Sequence, residues 1–439
     1  MKLNYLKLCL LIIVLGTGKI QAQEATSVTL REAVELALEN SNKSKISKDK
    51  VTTAKNELQV TKNLRYPDAK IAGQYQYLPS AKINLHQPPP AEGETPSTLP
   101  NVNQLFLGQF TVGMPVFTGF KLKNAIAASE NFFQAATFNA ANDQEQIALE
   151  TINAYINLYK AKESIGLIKE NLKTTDQRVA DFSEMEKNGL LARNDLLKAQ
   201  LQSSNIEVTL EEALKAQSIL NYQLVVMLQL PEGTQIAMDE NEFEAVKEEV
   251  SAQDSISRND LLALHYQSLA AENQLKIAQS RYYPTLSVVG GYVALDIHNA
   301  LTVTNAMNIG VAFSYNLADI FKTKSDIRVA QSKASEVQHT YDLVSDQINV
   351  QVENAEQEYK LALKKYQVYI KSQEQADENY RIVKDKYDNG LQDTNDLLEA
   401  DVEQLQAKIN LAFSKADISQ KYYEMLTAKG TLTDTITTY

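Results

Sequence analysis

The 439-residue chain is written twice, and this duplication constrains its fold more than any single motif in it. Arg65-Tyr66-Pro67 followed by Gly73-Gln74-Tyr75 returns as Tyr282-Tyr283-Pro284 followed by Gly290-Gly291-Tyr292. Further along, Asn188-Gly189-Leu190 with Asn194-Asp195-Leu196-Leu197 returns as Asn389-Gly390-Leu391 with Asn395-Asp396-Leu397-Leu398. Shared order and spacing at two separated places mark a tandem duplication with a period of roughly 200 residues, far longer than a solenoid unit. The repeats are assigned to residues 23–230 and 258–430, with 231–257 as a linker and 431–439 as a tail.

Each half reads as a short helix, a medium helix, two strands, a very long helix, a Gly-Leu turn and another long helix. The first helix opens on a capping box, Thr29-Leu30-Arg31-Glu32, and is broken between Asn40 and Asn42. In the second half an apolar seam runs from Ile327 through Val344, Ile348, Val352, Tyr359 and Tyr380 to Tyr387 in steps of three and four, the rhythm of a coiled coil. Two successive four-residue steps around Ile348 form a stutter, which predicts a straighter section of helix. After the turn the rhythm resumes at Leu398, Val402, Leu405 and Ile409 and continues to Leu426. The segment from Lys121 to Lys187 alone would extend about 100 Å as a helix. Rods of this kind bury too little apolar surface to stand alone.

Between the helices the period changes to two. Strands are predicted at about 70–86, 104–116, 285–297 and 302–316. Met307, Ile309, Val311, Phe313 and Tyr315 alternate with Asn308, Gly310, Ala312, Ser314 and Asn316, and Phe106, Phe110, Val112, Met114 and Val116 share one parity. One greasy and one polar face is the pattern of a strand between lipid and a wet lumen, and equally of a half-buried strand in a soluble sheet. The connection at 87–103 holds Pro88-Pro89-Pro90 and reads as an exposed loop, whereas that at His298 to Leu301 is short.

The amino terminus agrees with export. Lys2 and Lys7, an apolar run from Leu8 to Leu15 and a small-residue end at Ala22 have the order of a signal peptide over residues 1–22, with cleavage before Gln23. No other stretch supplies the roughly 18 apolar residues of a transmembrane helix, so a membrane crossing must use strands. Four strands cannot close a barrel, and open edges are not allowed in lipid, so several chains must share one. Loss of Lys2, Lys7 and Lys19 with the signal takes the formal charge from -12 to -15, which argues against nucleic acid as a partner and for a surface or lumen that prefers cations, with ordinary solubility an equal account of the same charge.

In these features the chain resembles the TolC-type outer membrane efflux proteins over nearly its whole mature length. The resemblance rests on Thr29-Leu30-Arg31-Glu32-Ala33-Val34, Tyr66-Pro67 and Tyr283-Pro284 before the strands, Arg258-Asn259-Asp260-Leu261 opening the second half, and both Gly-Leu turns. It implies an α+β membrane protein: duplicated coiled-coil helices forming an α-barrel, and four transmembrane strands per chain closing as a 12-stranded trimeric β-barrel. It further implies residence in the outer membrane with the helical tunnel in the periplasm. The partners implied are two further copies, outer membrane lipid, a periplasmic adaptor, and an inner-membrane transporter of the RND, ABC or MFS type. The chain would be the exit duct of an efflux or type I secretion system.

The Gly-Leu turns resemble the family's periplasmic tips. Gly189 and Gly390 suit the left-handed end of a helix, and Asn194 and Asn395 are candidate caps for the next. The apolar Leu190 and Leu391 on a turn suit adaptor docking. Asp396 and Glu399, three residues apart and so on one helix face, match the family's constricting acidic residues. In a trimer they would stack as two carboxylate rings able to select cations; stabilisation of a helix N-terminus is the plainer account of the same residues. Asp195 matches a position that links neighbouring hairpins, and Tyr387 its aromatic partner. Gln392 stands where one branch has arginine, and Arg193 is the nearby cation left to supply that latch.

The histidines at 86, 265, 298 and 339 lack metal-ligand spacing, and no nucleophile motif or phosphate loop occurs, so neither an enzyme nor a cofactor is expected. The alternative is a periplasmic structural coiled coil without a pore. It explains the helices but not the duplicated strand pairs.

Overall fold

The computed structural model describes residues 26–79, 102–238, 243 and 256–438. The expected signal peptide, the proline-rich loop and most of the linker lie outside these residues. The element order is β1 (Thr26–Ser27), α1 (Leu30–Asn40), α2 (Asn42–Asn63), β2 (Asp68–Tyr77), β3 (Gln104–Phe117), α3 (Lys121–Lys187), α4 (Arg193–Leu228), β4 (Ile236–Ala237), α5 (Asn259–Gln279), β5 (Thr285–Ile297), β6 (Leu301–Ser314), α6 (Asp319–Asp388), α7 (Thr394–Lys429) and α8 (Leu432–Thr438). The chain divides into two compact units, one drawn from Met1–Asp49, Ala140–Asn259 and Ser345–Tyr439 and the other from Lys50–Asn139 and Asp260–Val344.

The first unit is built on the short helix α1. Thr29 and Glu32 cap it reciprocally, and the backbone N–H of Thr29 donates to Glu32 at 2.9 Å. Its apolar stripe of Leu30, Ala33, Val34 and Ala37 packs with Ile152, Tyr155 and Ile156 of α3, Leu224 and Leu228 of α4 and Leu432 of α8. Tyr155 is wholly buried and donates its hydroxyl to the carbonyl of Val28 at 2.8 Å, so its polar tip costs nothing. The residues read as a tail form α8, whose first N–H groups at Leu432 and Thr433 donate to the buried carboxylate of Glu145 at 3.0 and 2.9 Å. Two N–H groups left open at a helix N-terminus thus find a carboxylate 287 residues upstream, which no local pattern announces. The two-residue parallel pair β1·β4 was likewise too short to leave a period.

Along α6 the seam positions Ile348, Val352, Tyr359 and Ala362 are buried. On α7 the seam holds at Ala416 and Leu426 but slips near the turn. There Leu397, Ala400, Asp401 and Ala407 are buried, and Val402 is 53% exposed. The expected Leu398–Val402–Leu405 line is therefore not the internal one. A helix with apolar residues on two faces gives a sequence reader two seams to choose from.

The second unit carries a four-stranded antiparallel sheet in the order β2-β3-β5-β6. The pairs Ile71↔Phe110, Phe110↔Tyr292 and Tyr292↔Met307 run straight across it, and Val288 faces both Met114 and Val311. Directly paired residues share a face, so Ile71, Tyr75, Phe106, Phe110, Met114, Tyr292, Val288, Met307, Ile309, Val311 and Phe313 make one continuous apolar surface. It is open: Ile71 and Ile309 are 86% and 88% exposed. The other face is mostly polar or small near the helices, at Lys70, Gln109, Thr111, Ser287, Asn308 and Ser314, with Val289 an apolar exception. Farther out Leu107 pairs with Leu295 and Leu105 with Ile297 on that same face, so the clean alternation holds for only half the sheet's height. A register shift between Val293 and Leu295 marks the change. Strand β2 ends at Tyr77, and Leu78 keeps a backbone bond to Asn103 at 2.8 Å outside the ladder; the rest of the expected strand, residues 80–86, lies outside the described residues.

Candidate functional site

The expected site residues gather at the two helical turns of the first unit. Both turns close in the same way. The N–H of Leu190 donates to the carbonyl of Met185 at 2.8 Å and that of Gly189 to Glu186 at 2.9 Å; Leu391 and Gly390 repeat this with Lys386 and Tyr387 at 2.8 and 2.9 Å. These are Schellman ends, and each glycine has φ +71°, the left-handed geometry that a Cβ disfavours. In such a motif the residue after the glycine commonly folds its apolar side chain back onto the helix. Here Leu190 and Leu391 stay 74% and 76% exposed, so neither is spent on the helix end.

The helices that follow start differently from expectation and from each other. Asp393 caps α7, accepting from the N–H groups of Asn395 and Asp396 at 2.8 and 3.1 Å. The matching residue before α4 is Ala192, which has no side chain to cap with. Asn194 and Asn395 lie inside the first turns and cap neither helix. Each helix begins one or two residues earlier than the asparagines suggest.

The Tyr387 ring stacks on Phe182 of the other hairpin, centroids 5.7 Å apart, above a small core of Leu196, Ala199 and Leu397. Burial chiefly holds the Tyr387 phenol above its ordinary pKa, opposed by a hydrogen bond with Thr394 and reinforced by the Asp195 and Asp388 carboxylates. The structure thus brings Tyr387 and Asp195 into one electrostatic neighbourhood. Asp195 itself pairs with Lys198 at 3.5 Å. Gln392 donates its side-chain amide to Asp396, while Glu399 lies exposed one turn on. Arg193 does not bridge the hairpins: it reaches back to Glu186 across its own turn at 3.7 Å, because the Schellman bend points α4's first residue at the end of α3.

A buried cation that joins the hairpins near the tips was not singled out in the sequence. Arg178 of α3 donates to Asp401 of α7 at 3.0 Å and to the Tyr380 hydroxyl of α6 at 3.1 Å. Asn171 of α3 and Gln202 of α4 donate to the same carboxylate, each at 3.3 Å. Helices α3 and α4 thus meet α7 on Asp401, and α6 joins the network through Arg178. Burial works against the Arg178 charge more than any other influence, yet Asp401 and Tyr380 together outweigh it and hold its pKa above the usual guanidinium value. Beside this network a groove of about 1050 Å³ runs to the tips, lined by Gln177, Arg178, Phe182, Leu190, Tyr387 and Gln392 among others. Among the described residues no group of three His, Cys, Asp or Glu is placed to hold a metal.

Residues 252–431 match the family model of the outer membrane efflux proteins. The second repeat belongs to the outer membrane efflux protein family. Over 332 residues the chain is 22% identical to the outer membrane efflux protein BepC of Brucella suis, covering 74% of this chain and 72% of BepC. Its fold is that of the Campylobacter jejuni CmeC outer membrane channel, with a TM-score of 0.76 over 92% of this chain and 86% of CmeC at 18% identity. The Vibrio cholerae outer membrane protein VceC gives 0.74 over 91% and 96% at 17% identity. The chain therefore shares the fold of these outer membrane channels across both repeats.

Proposed function

We propose that the chain is the outer-membrane exit duct of a tripartite efflux or type I secretion system, working as a homotrimer with a periplasmic adaptor and an inner-membrane transporter of the RND, ABC or MFS type. The observation that carries this is the sheet: four strands with one continuous exposed apolar face and two unpaired edges. A lipid-facing sheet with free edges has unmet backbone groups, and closure removes them. β2 and β6 run in opposite directions, so β6 of one copy can meet β2 of the next and keep an all-antiparallel wall. Three copies then supply the 12 strands of the family's barrel, with the helices continuing it into the periplasm.

At the tips, Asp396 and Glu399 form the constriction, Asp195 and Tyr387 support it, and Leu190 and Leu391 with the groove beside them receive the adaptor at Gly189 and Gly390. Planar bilayers test the duct: the purified oligomer should give cation-preferring pores. A periplasmic coiled coil without a pore would be extracted by salt alone and leave the bilayer silent, an outcome that removes the proposal.

A further inference from the structure

Each of the four strand-to-helix junctions of the sheet sets an aromatic ring beside a cation. Arg65-Tyr66 precedes β2, Phe120-Lys121 with Lys123 follows β3, Arg281-Tyr282-Tyr283 precedes β5, and Phe321-Lys322 with Lys324 follows β6. The strands alternate in direction, so all four junctions lie at one end of the sheet. The rings are open to their surroundings, Phe120 by 52%, Tyr66 by 67% and Phe321 by 84%. Two junctions are in contact: Phe117, Phe120 and Tyr283 form an edge-to-face chain with centroids 5.3 and 5.8 Å apart. A Cβ on Gly119, at φ +63°, would come within 2.6 Å of the Ser280 carbonyl, so nothing larger than glycine allows that approach.

The cations run against the composition of a chain whose formal charge is -12. Arg281 is answered by Asp326, and Lys70 lies beside Asp68. Arg65, Lys121, Lys123, Lys322 and Lys324 are exposed. At the opposite end, the turn Ile297-His298-Asn299-Ala300-Leu301 has no lysine or arginine.

We propose that this band is a collar for anionic phospholipid headgroups of the inner leaflet, an inference that rests on the sheet being the membrane wall with its helices in the periplasm. Aromatic rings settle at the depth where acyl chains give way to headgroups. Lysine stems run along apolar surface and deliver the ammonium to the phosphates just beyond. The collar fixes the depth of the barrel and enriches acidic lipid around it.

The test uses the full-length oligomer in mixed micelles of phosphatidylglycerol and phosphatidylcholine, with retained lipid quantified by mass spectrometry. Phosphatidylglycerol should be enriched, and the enrichment should fall roughly five-fold or more in the quadruple variant K121Q/K123Q/K322Q/K324Q. A control variant, K333Q/K364Q/K365Q/K371Q on α6, removes equal charge and should keep it. Equal lipid ratios in wild type and collar variant, or equal loss in the control, overturn the collar. Conductance in phosphatidylcholine bilayers separates the two readings, since a pore that opens there without lipid preference leaves the duct standing and removes only the collar.

Discussion

Arg178 and Asp401 stand 3.0 Å apart, 8% and 2% exposed in their side chains, and join one helical hairpin of the chain to the other. A pair so deeply buried is secured by its extra hydrogen bonds rather than by Coulomb attraction alone, and here Asn171, Gln202 and Tyr380 supply them. Removing one partner strands the other charge. Arg178→Met should cost about 3–5 kcal/mol in denaturant unfolding. Combining it with Asp401→Leu should return most of that loss and leave the hairpins less tied to one another, visible as faster amide exchange at residues 180–200. Full stability in the single variant would show that the four helices do not depend on this network.

The proposed constriction should respond to charge removal. Replacing Asp396 and Glu399 together by alanine should raise single-channel conductance and weaken blockade by polyvalent cations. Unchanged conductance and blockade in planar bilayers would take both residues out of the gate. Gln392→Ala, which frees the Asp396 carboxylate from its amide partner, should preserve the charge and shift conductance less.

Alkaline pH should loosen the tips through Tyr387. Its pKa in the folded protein is raised above the ordinary 10.0, so the neutral phenol is the form the fold prefers. Its stabilising contribution is complete below about pH 10 and is lost as pH rises through the raised folded value. Amide exchange around Phe182 and Thr394 should therefore accelerate at the alkaline end in wild type and much less in Tyr387→Phe. An identical response in both proteins would assign the change to other groups.

Docking should depend on the two exposed turn leucines. Leu190→Asp with Leu391→Asp leaves the Schellman bonds intact, since these involve only backbone, and so should not alter oligomer formation or thermal stability by more than about 0.5 kcal/mol. Co-purification of the adaptor should fall sharply. Undiminished co-purification would move the contact elsewhere on the helices.

The sequence makes some of this legible for physical reasons. Local rules produce local features, so the Thr29–Glu32 box, the left-handed glycines at 189 and 390 and the alternation of Met307 to Phe313 can be read directly. Features made by distant segments leave no such trace. Glu145 at the start of α8 and Arg178 on Asp401 are separated from their partners by 287 and 223 residues. The nearest available signal for the latter is an acidic residue, Asp401, on the same helical stripe as Leu397, which is unusual unless a cation meets it. The slip of the α7 seam has the same origin, because Val402 and Leu397 are both apolar and only the packed structure says which one faces inward.

The proposed wall of three copies would make the protein genetically fragile in a way that a one-chain barrel is not. In that wall each copy would pair through β6 with one neighbour and through β2 with the other, so a chain damaged at either strand would enter and spoil assemblies that hold sound partners. With three copies per barrel and equal amounts of sound and damaged chain mixing freely, only about one assembly in eight escapes. Lesions at the two outer strands should therefore be dominant, whereas those that keep a chain from folding at all should be recessive.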